Sequence, residues 1–298
     1  MIENKRGIFM VKGAKVGIVC CSNGQLKEYQ ESVEMLEKVL LDMGLIPVFS
    51  DYIYARDSIY SGTAAERAEA LMNFYKNEEI RAIFDISGGD IANEILPYLD
   101  FEVIARTDKQ FWGYSDLTTI INAIYAKTGK PSVLYQVKNL VWDKSKKQIE
   151  AFALAVANEK QSVLFSPEYE FVQKESLQGI LVGGNIRCLL KLAGTPYWPD
   201  MTGKVLLLES LGGEVPQMVT YLNQLKQMGV FEKINGILLG TFTTMEKNYC
   251  VPDIVTLVKK YVGEDLPIAV TGEIGHGTDS KAVIIGGHIN YGNITIVH

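Results

Sequence analysis

The feature that most restricts how this chain can fold is an alternation. Short apolar runs, too short for helices, are interleaved with longer stretches whose apolar residues recur every three to four positions. The run Val16 to Cys21 reads as a first strand ending at the turn Ser22-Asn23-Gly24. Leu26 to Met43 follows, with Val33, Leu36, Val39 and Leu40 at helical spacing and Gly44 as its stop. Ile46 to Phe49 is a second strand, and Ala64 to Lys76 a second helix with Ala68, Leu71, Met72 and Tyr75 on one face. A third strand, Ala82 to Ile86, ends in Ser87-Gly88-Gly89. Repeated β-α-β units require a parallel sheet with helices on both faces.

The pattern pauses between Lys130 and Glu175, which reads as a passage between domains with one helix near Gln148 to Ala157. Its charge run, Asp143-Lys144-Ser145-Lys146-Lys147, reads as a solvated face. The alternation resumes near Leu177 with Gly179 to Asn185, a helix through Leu192 and the strand Val205 to Leu208. Pro216 opens the next helix, whose apolar face is Val215, Val219, Leu222, Leu225 and Met228. A strand at Gly236 to Leu239, a helix at Asp253 to Val262 and a strand at Pro267 to Val270 follow. The end reads as a hairpin, Val283 to Ile285 with Ile294 to Val297. The expected division is a leader at 1–12, an α/β domain at 13–145, a linker region at 146–175 and a second β/α domain at 176–298.

Composition narrows the function classes. With 298 residues, 47% of them hydrophobic, the chain can bury an ample core. The net charge of −6 and the lack of a long basic stripe argue against a duplex nucleic-acid partner. No apolar run is long enough to span a bilayer, so no membrane partner is expected. The run Val16 to Cys21 is also short for the apolar part of a signal peptide, and Lys5, Arg6, Lys12 and Lys15 before it are the one feature on the other side. Cys20, Cys21, Cys188 and Cys250 have neither CxxC nor metal-site spacing and read as reduced thiols of a cytoplasmic protein.

Chemistry is concentrated at three strand ends. In Phe111-Trp112-Gly113-Tyr114-Ser115-Asp116 an apolar strand runs directly into an amphipathic helix, so Ser115 sits on a sharp turn at the sheet edge. There its hydroxyl is presented as in a nucleophile elbow, and the Asp116 N–H is free to stabilise an oxyanion; capping the helix is the competing role for Ser115. Glu209 ends the strand Val205 to Leu208, where it orients a histidine or is an ordinary surface acid. His276, in Gly275-His276-Gly277, is the one histidine in a glycine-flanked loop after a sheet strand; a hydrogen-bonded structural histidine is its alternative. Two glycine turns, Ser87-Gly88-Gly89-Asp90 and Gly183-Gly184-Asn185, offer N–H groups to an anion or pack tightly. Neither matches GxGxxG or a P-loop, so no nucleotide cofactor is called for.

Together these segments resemble the serine LD-carboxypeptidase family, which includes the microcin C self-immunity proteins. The resemblance is carried by Gly62-Thr63 to Glu66-Arg67-Ala68 with Leu71, Gly88-Gly89, and Gly113-Tyr114-Ser115-Asp116 with Asn122 to Tyr125. It continues through Gly183-Gly184-Asn185, Leu208-Glu209 and Gly275-His276-Gly277, and so spans nearly the whole chain. It implies an N-terminal flavodoxin-like parallel-sheet domain, a C-terminal swivelling β/α domain and a Ser-Glu-His triad at their junction. On this chain Ser115 is then the nucleophile, His276 the base and Glu209 its orienter, with Gly89 and Asp116 as oxyanion donors. Gly88, Asp90 and Arg187 are the further substrate-contact candidates; neither a metal nor a cofactor is implied, and a homodimer is compatible.

The implied substrate is a murein tetrapeptide losing its terminal D-alanine, or an aminoacyl-nucleotide amide. Gly88-Gly89-Asp90 with Asn93 and Leu96 to Asp100 leans towards the second. Ser132 to Gln136 departs from a His-Gly-Pro stretch common in the family; Tyr135 and Trp142 are either ligand contacts or core. The alternative class is a two-domain α/β protein that binds a small ligand without turning it over.

Overall fold

The alternation folds into two six-stranded sheets, described here in a computed structural model over residues 10–143, 145–157 and 163–292. In the first half the chain runs β1 (Lys15–Val19), α1 (Gln30–Asp42), β2 (Ile46–Phe49), α2 (Ala64–Lys76), β3 (Ile80–Asp85) and α3 (Phe101–Ala105). It continues through β4 (Gln110–Gly113), α4 (Thr118–Thr128), β5 (Ser132–Leu134) and α5 (Ser145–Val156). Strands β1 to β5 are parallel in the order β2-β1-β3-β4-β5, the flavodoxin-like order. That order reverses between β1 and β3, and the turns following these two strands are joined by the Asn23–Gly88 bridge.

The second half holds β6 (Glu170–Gln173), β7 (Ser176–Asn185), α6 (Ile186–Leu190), β8 (Lys204–Ser210), α7 (Val215–Gln227) and β9 (Gly236–Phe242). Then come α8 (Thr243–Lys247), α9 (Ile254–Val262), β10 (Ile268–Val270), β11 (Val283–Ile285) and β12 (His288–Gly292). Strands β7 to β10 are parallel and are flanked by antiparallel β12 and β6. This sheet curls until its edges approach: Tyr169, beside β6, stacks on Tyr291 of β12 with ring centroids 4.2 Å apart.

Three sequence readings are corrected or extended. Val283 to Ile285 has a partner the sequence reading did not name: as β11 it pairs antiparallel with β5 at the edge of the first sheet, while β12 lies at the edge of the second. Ile294 to Val297 lies outside the described residues. On α7 the fully buried residues are Met218, Leu222 and Leu225, with Val215 and Met228 half-buried against the same core; Val219 is exposed, because Met218, one turn before Leu222, occupies the centre of the face instead. The chain is anchored earlier than a leader at 1–12 implies: Met10 is buried and its N–H donates to the Val156 carbonyl at 2.8 Å.

Helix α5 belongs to the first sheet's covering layer. Its Phe152 is buried among Phe84, Trp112 and Tyr135, at centroid distances of 6.0, 5.5 and 6.1 Å. Tyr135 is therefore core, with its hydroxyl donating to Gln148 Oε1 at 2.6 Å. The Thr63–Glu66 segment is a capping box that starts α2 and aims the fully buried Arg67 at the turn after β1. Arg67 donates to the Cys21 carbonyl at 2.6 Å and pairs with Glu94 at 2.6 Å, tying that turn to the turn after β3.

The aromatic cluster yields a stability test. Phe152→Ala empties a site enclosed by rings on three sides and is expected to lower unfolding free energy by about 3–5 kcal/mol. Urea denaturation followed by tryptophan fluorescence reads this directly, since Trp112 borders the cavity.

Candidate active site

Ser115 stands between the end of β4 and a short 3-10 turn, Ser115–Leu117, that leads into α4. Its φ is +53°, in the left-handed region where a residue with a Cβ is strained. The turn is that tight because Gly113 has no side chain: a Cβ there would lie 2.7 Å from Leu117 Cβ. The hydroxyl caps neither the turn nor α4; it lies 3.2 Å from Nε2 of His276.

His276 is carried by the loop between β10 and β11, whose entry is fixed by the Thr241 N–H donating to the Ile274 carbonyl. Its other nitrogen, Nδ1, is 2.8 Å from Glu209 Oε2. Glu209 is no surface acid: its side chain is 0% exposed and that of His276 11%. With the carboxylate as acceptor, Nδ1 carries the imidazole proton and Nε2 is left to accept from Ser115. Three groups from two sheets thus form one hydrogen-bonded chain.

A fourth group was not singled out from the sequence. Tyr114, directly before Ser115, donates its hydroxyl to Glu209 Oε2 at 3.1 Å and lies edge-on to the His276 ring at 4.8 Å. Burial, and then the neighbouring Glu209 charge, push its phenol well above the ordinary tyrosine range, so it remains a donor. The signal available in the sequence was adjacency, since an aromatic residue entering a sharp turn has one face on the turn's contents.

The glycine turns have different roles. At Gly88-Gly89, the Gly88 carbonyl accepts from the Asn23 N–H at 3.1 Å. In a trans peptide this directs the Gly89 N–H the opposite way, away from Asn23. Gly89 has φ +126°, and a Cβ on it would collide with the Asn23 side chain. Gly183-Gly184-Asn185 serves packing instead: a Cβ on Gly184 would lie 2.8 Å from Thr118 Oγ1, and Asn185 Oδ1 caps α6.

A cleft of about 590 Å³ opens beside Ser115 and is lined by Gly89, Asp90, Asn185, Arg187 and the Ser210–Gln217 segment, with Tyr221 its one aromatic wall. Arg187 forms an ion pair with Asp90 there. Gly88 is held by Asn23, and neither Asn93 nor Leu96 to Asp100 lines this cleft. Leu96 and Leu99 are buried, and Asp100 caps α3. Burial pushes the Cys20, Cys21 and Cys188 thiols up, and Cys188 reaches about 12, so these three are inert as thiolates.

Family models match on both sides of the cleft: the LD-carboxypeptidase N-terminal domain over residues 16–135 and the LD-carboxypeptidase C-terminal domain over residues 178–290. A probable murein peptide carboxypeptidase of Bacillus subtilis is 30% identical over 295 residues, covering 92% of this chain and 88% of that protein. The microcin C7 self-immunity protein MccF of Escherichia coli is 27% identical over 215 residues, covering 62% of each. Among solved structures, MccF in complex with glutamyl sulfamoyl guanosine superposes with a TM-score of 0.82 at 19% identity, over 95% of this chain and 97% of that one. The muramoyltetrapeptide carboxypeptidase from Oxalobacter formigenes gives 0.76 at 21% identity, over 93% and 94%.

Two expectations follow from the geometry. Ser115→Gly removes the left-handed strain and is expected to raise unfolding free energy by about 1 kcal/mol while abolishing any reaction at the hydroxyl; Ser115→Ala abolishes the reaction without the gain. Tyr114→Phe removes one donor to a buried carboxylate but keeps the ring, so kcat is expected to fall about tenfold, the equivalent of about 1.4 kcal/mol, with KM little changed. Because the phenol is held above its ordinary range, it stays neutral to beyond about pH 10. Wild type and Tyr114→Phe are therefore expected to share the shape of the alkaline limb of their pH–rate profiles.

Proposed function

The chain belongs to the LD-carboxypeptidase family, and from that premise we propose that it is a serine hydrolase that cleaves an amide bond by acyl transfer to Ser115. The observation that carries the reading is the continuous chain Ser115 Oγ–His276–Glu209, with links of 3.2 and 2.8 Å, on a serine held at positive φ. His276 Nε2 takes the hydroxyl proton as Ser115 attacks the carbonyl carbon. Glu209 holds the ring and stabilises the imidazolium that forms. The Gly89 and Asp116 N–H groups receive the tetrahedral oxyanion; in comparable sites one such donor lowers the barrier by about 3 kcal/mol. His276 then returns the proton to the leaving amine, and water, deprotonated by the same nitrogen, releases the acid.

The cleft favours a peptide. Arg187 lines it and, although paired with Asp90, presents a guanidinium with donors enough for the carboxylate of a leaving amino acid. Among the described residues that line the cleft, Tyr221 is the single aromatic side chain, and they offer the base of a nucleotide no pair of flat faces. The substrate read from this is a peptide with a free C-terminal carboxylate, and the murein tetrapeptide that ends in D-alanine has that chemistry. Free thiols at Cys20, Cys21, Cys188 and Cys250 suit a reducing compartment, which supports placing the reaction in the cytoplasm. Among the described residues no helix is long and apolar enough to cross a membrane.

The test is incubation with a murein tetrapeptide and, separately, with aspartyl sulfamoyl adenosine, reading product masses. Release of D-alanine by wild type, lost about 10⁴-fold or more in Ser115→Ala, is expected. Release of the sulfamoyl nucleoside alone assigns the other branch. Folded protein that binds the tetrapeptide without cleaving it, or Ser115→Ala with wild-type turnover, overturns the hydrolase.

A further inference from the structure

Lys191, which closes α6, lies on the border between the two halves of the molecule, with its side chain 18% exposed. Its ammonium has three N–H donors and meets three acceptors: Asp116 Oδ1, the Asp90 carbonyl at 2.9 Å and Asp90 Oδ1 at 3.4 Å. Asp116 is fully buried, and its other oxygen accepts from Ser22 Oγ at 2.7 Å and from the Ala92 N–H at 2.8 Å. A single cation from the second sheet's helix therefore holds both the residue after the proposed nucleophile and the turn that carries Gly89.

We propose that Lys191 is a positioning residue that fixes the Gly89–Asp90 turn against Asp116, so that the N–H groups of Gly89 and Asp116 converge on one oxyanion; this rests on the reading of Ser115 as the nucleophile. The need for such a restraint follows from the sequence of the turn. Two adjacent glycines have more backbone freedom than any other pair, and an oxyanion donor is effective only when it is oriented before the charge develops. On the first-sheet side the turn is held through Asn23, whose N–H donates to the Gly88 carbonyl at 3.1 Å and whose Oδ1 accepts from the Asp90 N–H at 3.2 Å. On the opposite side the Asp90 carbonyl is held by Lys191, and the Gly89 carbonyl by Arg187 Nη2 at 3.4 Å. Lys191 is the more buried of these two cations, and it alone also reaches Asp116.

The proposal separates from a merely structural ion pair by kinetics. Lys191→Met is expected to lower kcat about 30- to 100-fold on whichever amide the wild type cleaves, with KM within about twofold, because a loosened donor is lost chiefly in the transition state. The substitution also leaves Asp116 buried and unpaired, so it is paired with the double variant Lys191→Met/Asp116→Asn, which removes both charges of the pair and keeps both backbone donors. Recovery of the urea midpoint in the double variant without recovery of kcat supports the proposal, and the double variant alone decides it if Lys191→Met does not fold. A kcat within about threefold of wild type in either variant shows that Lys191 only neutralises Asp116 and overturns it. The failure of the underlying reading has a separate signature, which is turnover by Ser115→Ala.

Discussion

The seating of α4 between the two sheets is the constraint on which the candidate site depends. Ser115 is carried by the first sheet, and Glu209 and His276 by elements of the second or the loop that returns from it. Their spacing is therefore set by how α4 packs on β7. The Asn122 side chain makes that contact specific: its amide donates to the Gly183 carbonyl at 2.9 Å and to the Thr118 carbonyl at 2.8 Å, and its oxygen accepts from the Gly183 N–H at 2.8 Å. Thr118 Oγ1 accepts from the Asn185 N–H at 3.1 Å. Both β7 groups are buried, so a slip of α4 along β7 leaves polar groups unsatisfied at about 1–3 kcal/mol each, a steep penalty for small displacements. The small residues Gly183 and Gly184 are what let the helix come close enough for these bonds.

That rigidity explains how a strained serine persists. A left-handed φ at Ser115 is sustained only where the surroundings over-determine it. Below the turn, Leu117 fills the space that Gly113 leaves and its N–H donates to the Tyr114 carbonyl at 3.0 Å. Beside it, Asp116 is held by three donors from three segments, which fixes the residue after the strained one as firmly as β4 fixes those before it. The strain aims the hydroxyl at His276, which an unstrained helix start would instead have turned towards the N–H groups of α4.

What could be read from the residues and what could not divides along range. Ser115, Glu209 and His276 were each placed at a strand end by local pattern, and the β-α-β rule implied the parallel sheet; the strand order of the first sheet came only with the family resemblance. Pairing partners were not legible: Val283 to Ile285 has the same apolar run whether it folds back on its neighbour or crosses to β5, and the choice is made by the open edge that β5 offers. The β1 strand stops at Val19, short of Cys20 and Cys21, because the Asp85 carboxylate takes the Cys21 N–H and draws the chain out of the ladder. The departure from the family pattern at Ser132 to Gln136 is a change in the core, since Ser132 and Tyr135 are buried under β11 and α5. Asp116 was valued for its backbone alone, because the carboxylate's partners are 24, 75 and 94 residues away and belong to no motif.

Two buried carboxylates serve the proposed site, Asp116 directly after Ser115 and Glu209 reaching Ser115 through His276, and the contrast between them separates structure from chemistry. Asp116 is well satisfied: an ammonium meets one oxygen and a hydroxyl and an amide N–H meet the other, so its charge is already answered. Glu209 places Tyr114 and His276 on one oxygen, while Oε1 is buried without a side-chain or backbone partner. A carboxylate so thinly solvated gains most from whatever positive charge arises beside it. In the proposed reaction the charge that arises, when the hydroxyl loses its proton, is on the imidazole 2.8 Å away. Adding donors to Glu209 would stabilise the resting protein and weaken that response, which is the physical reason for a poorly satisfied acid at the centre of a well-satisfied network.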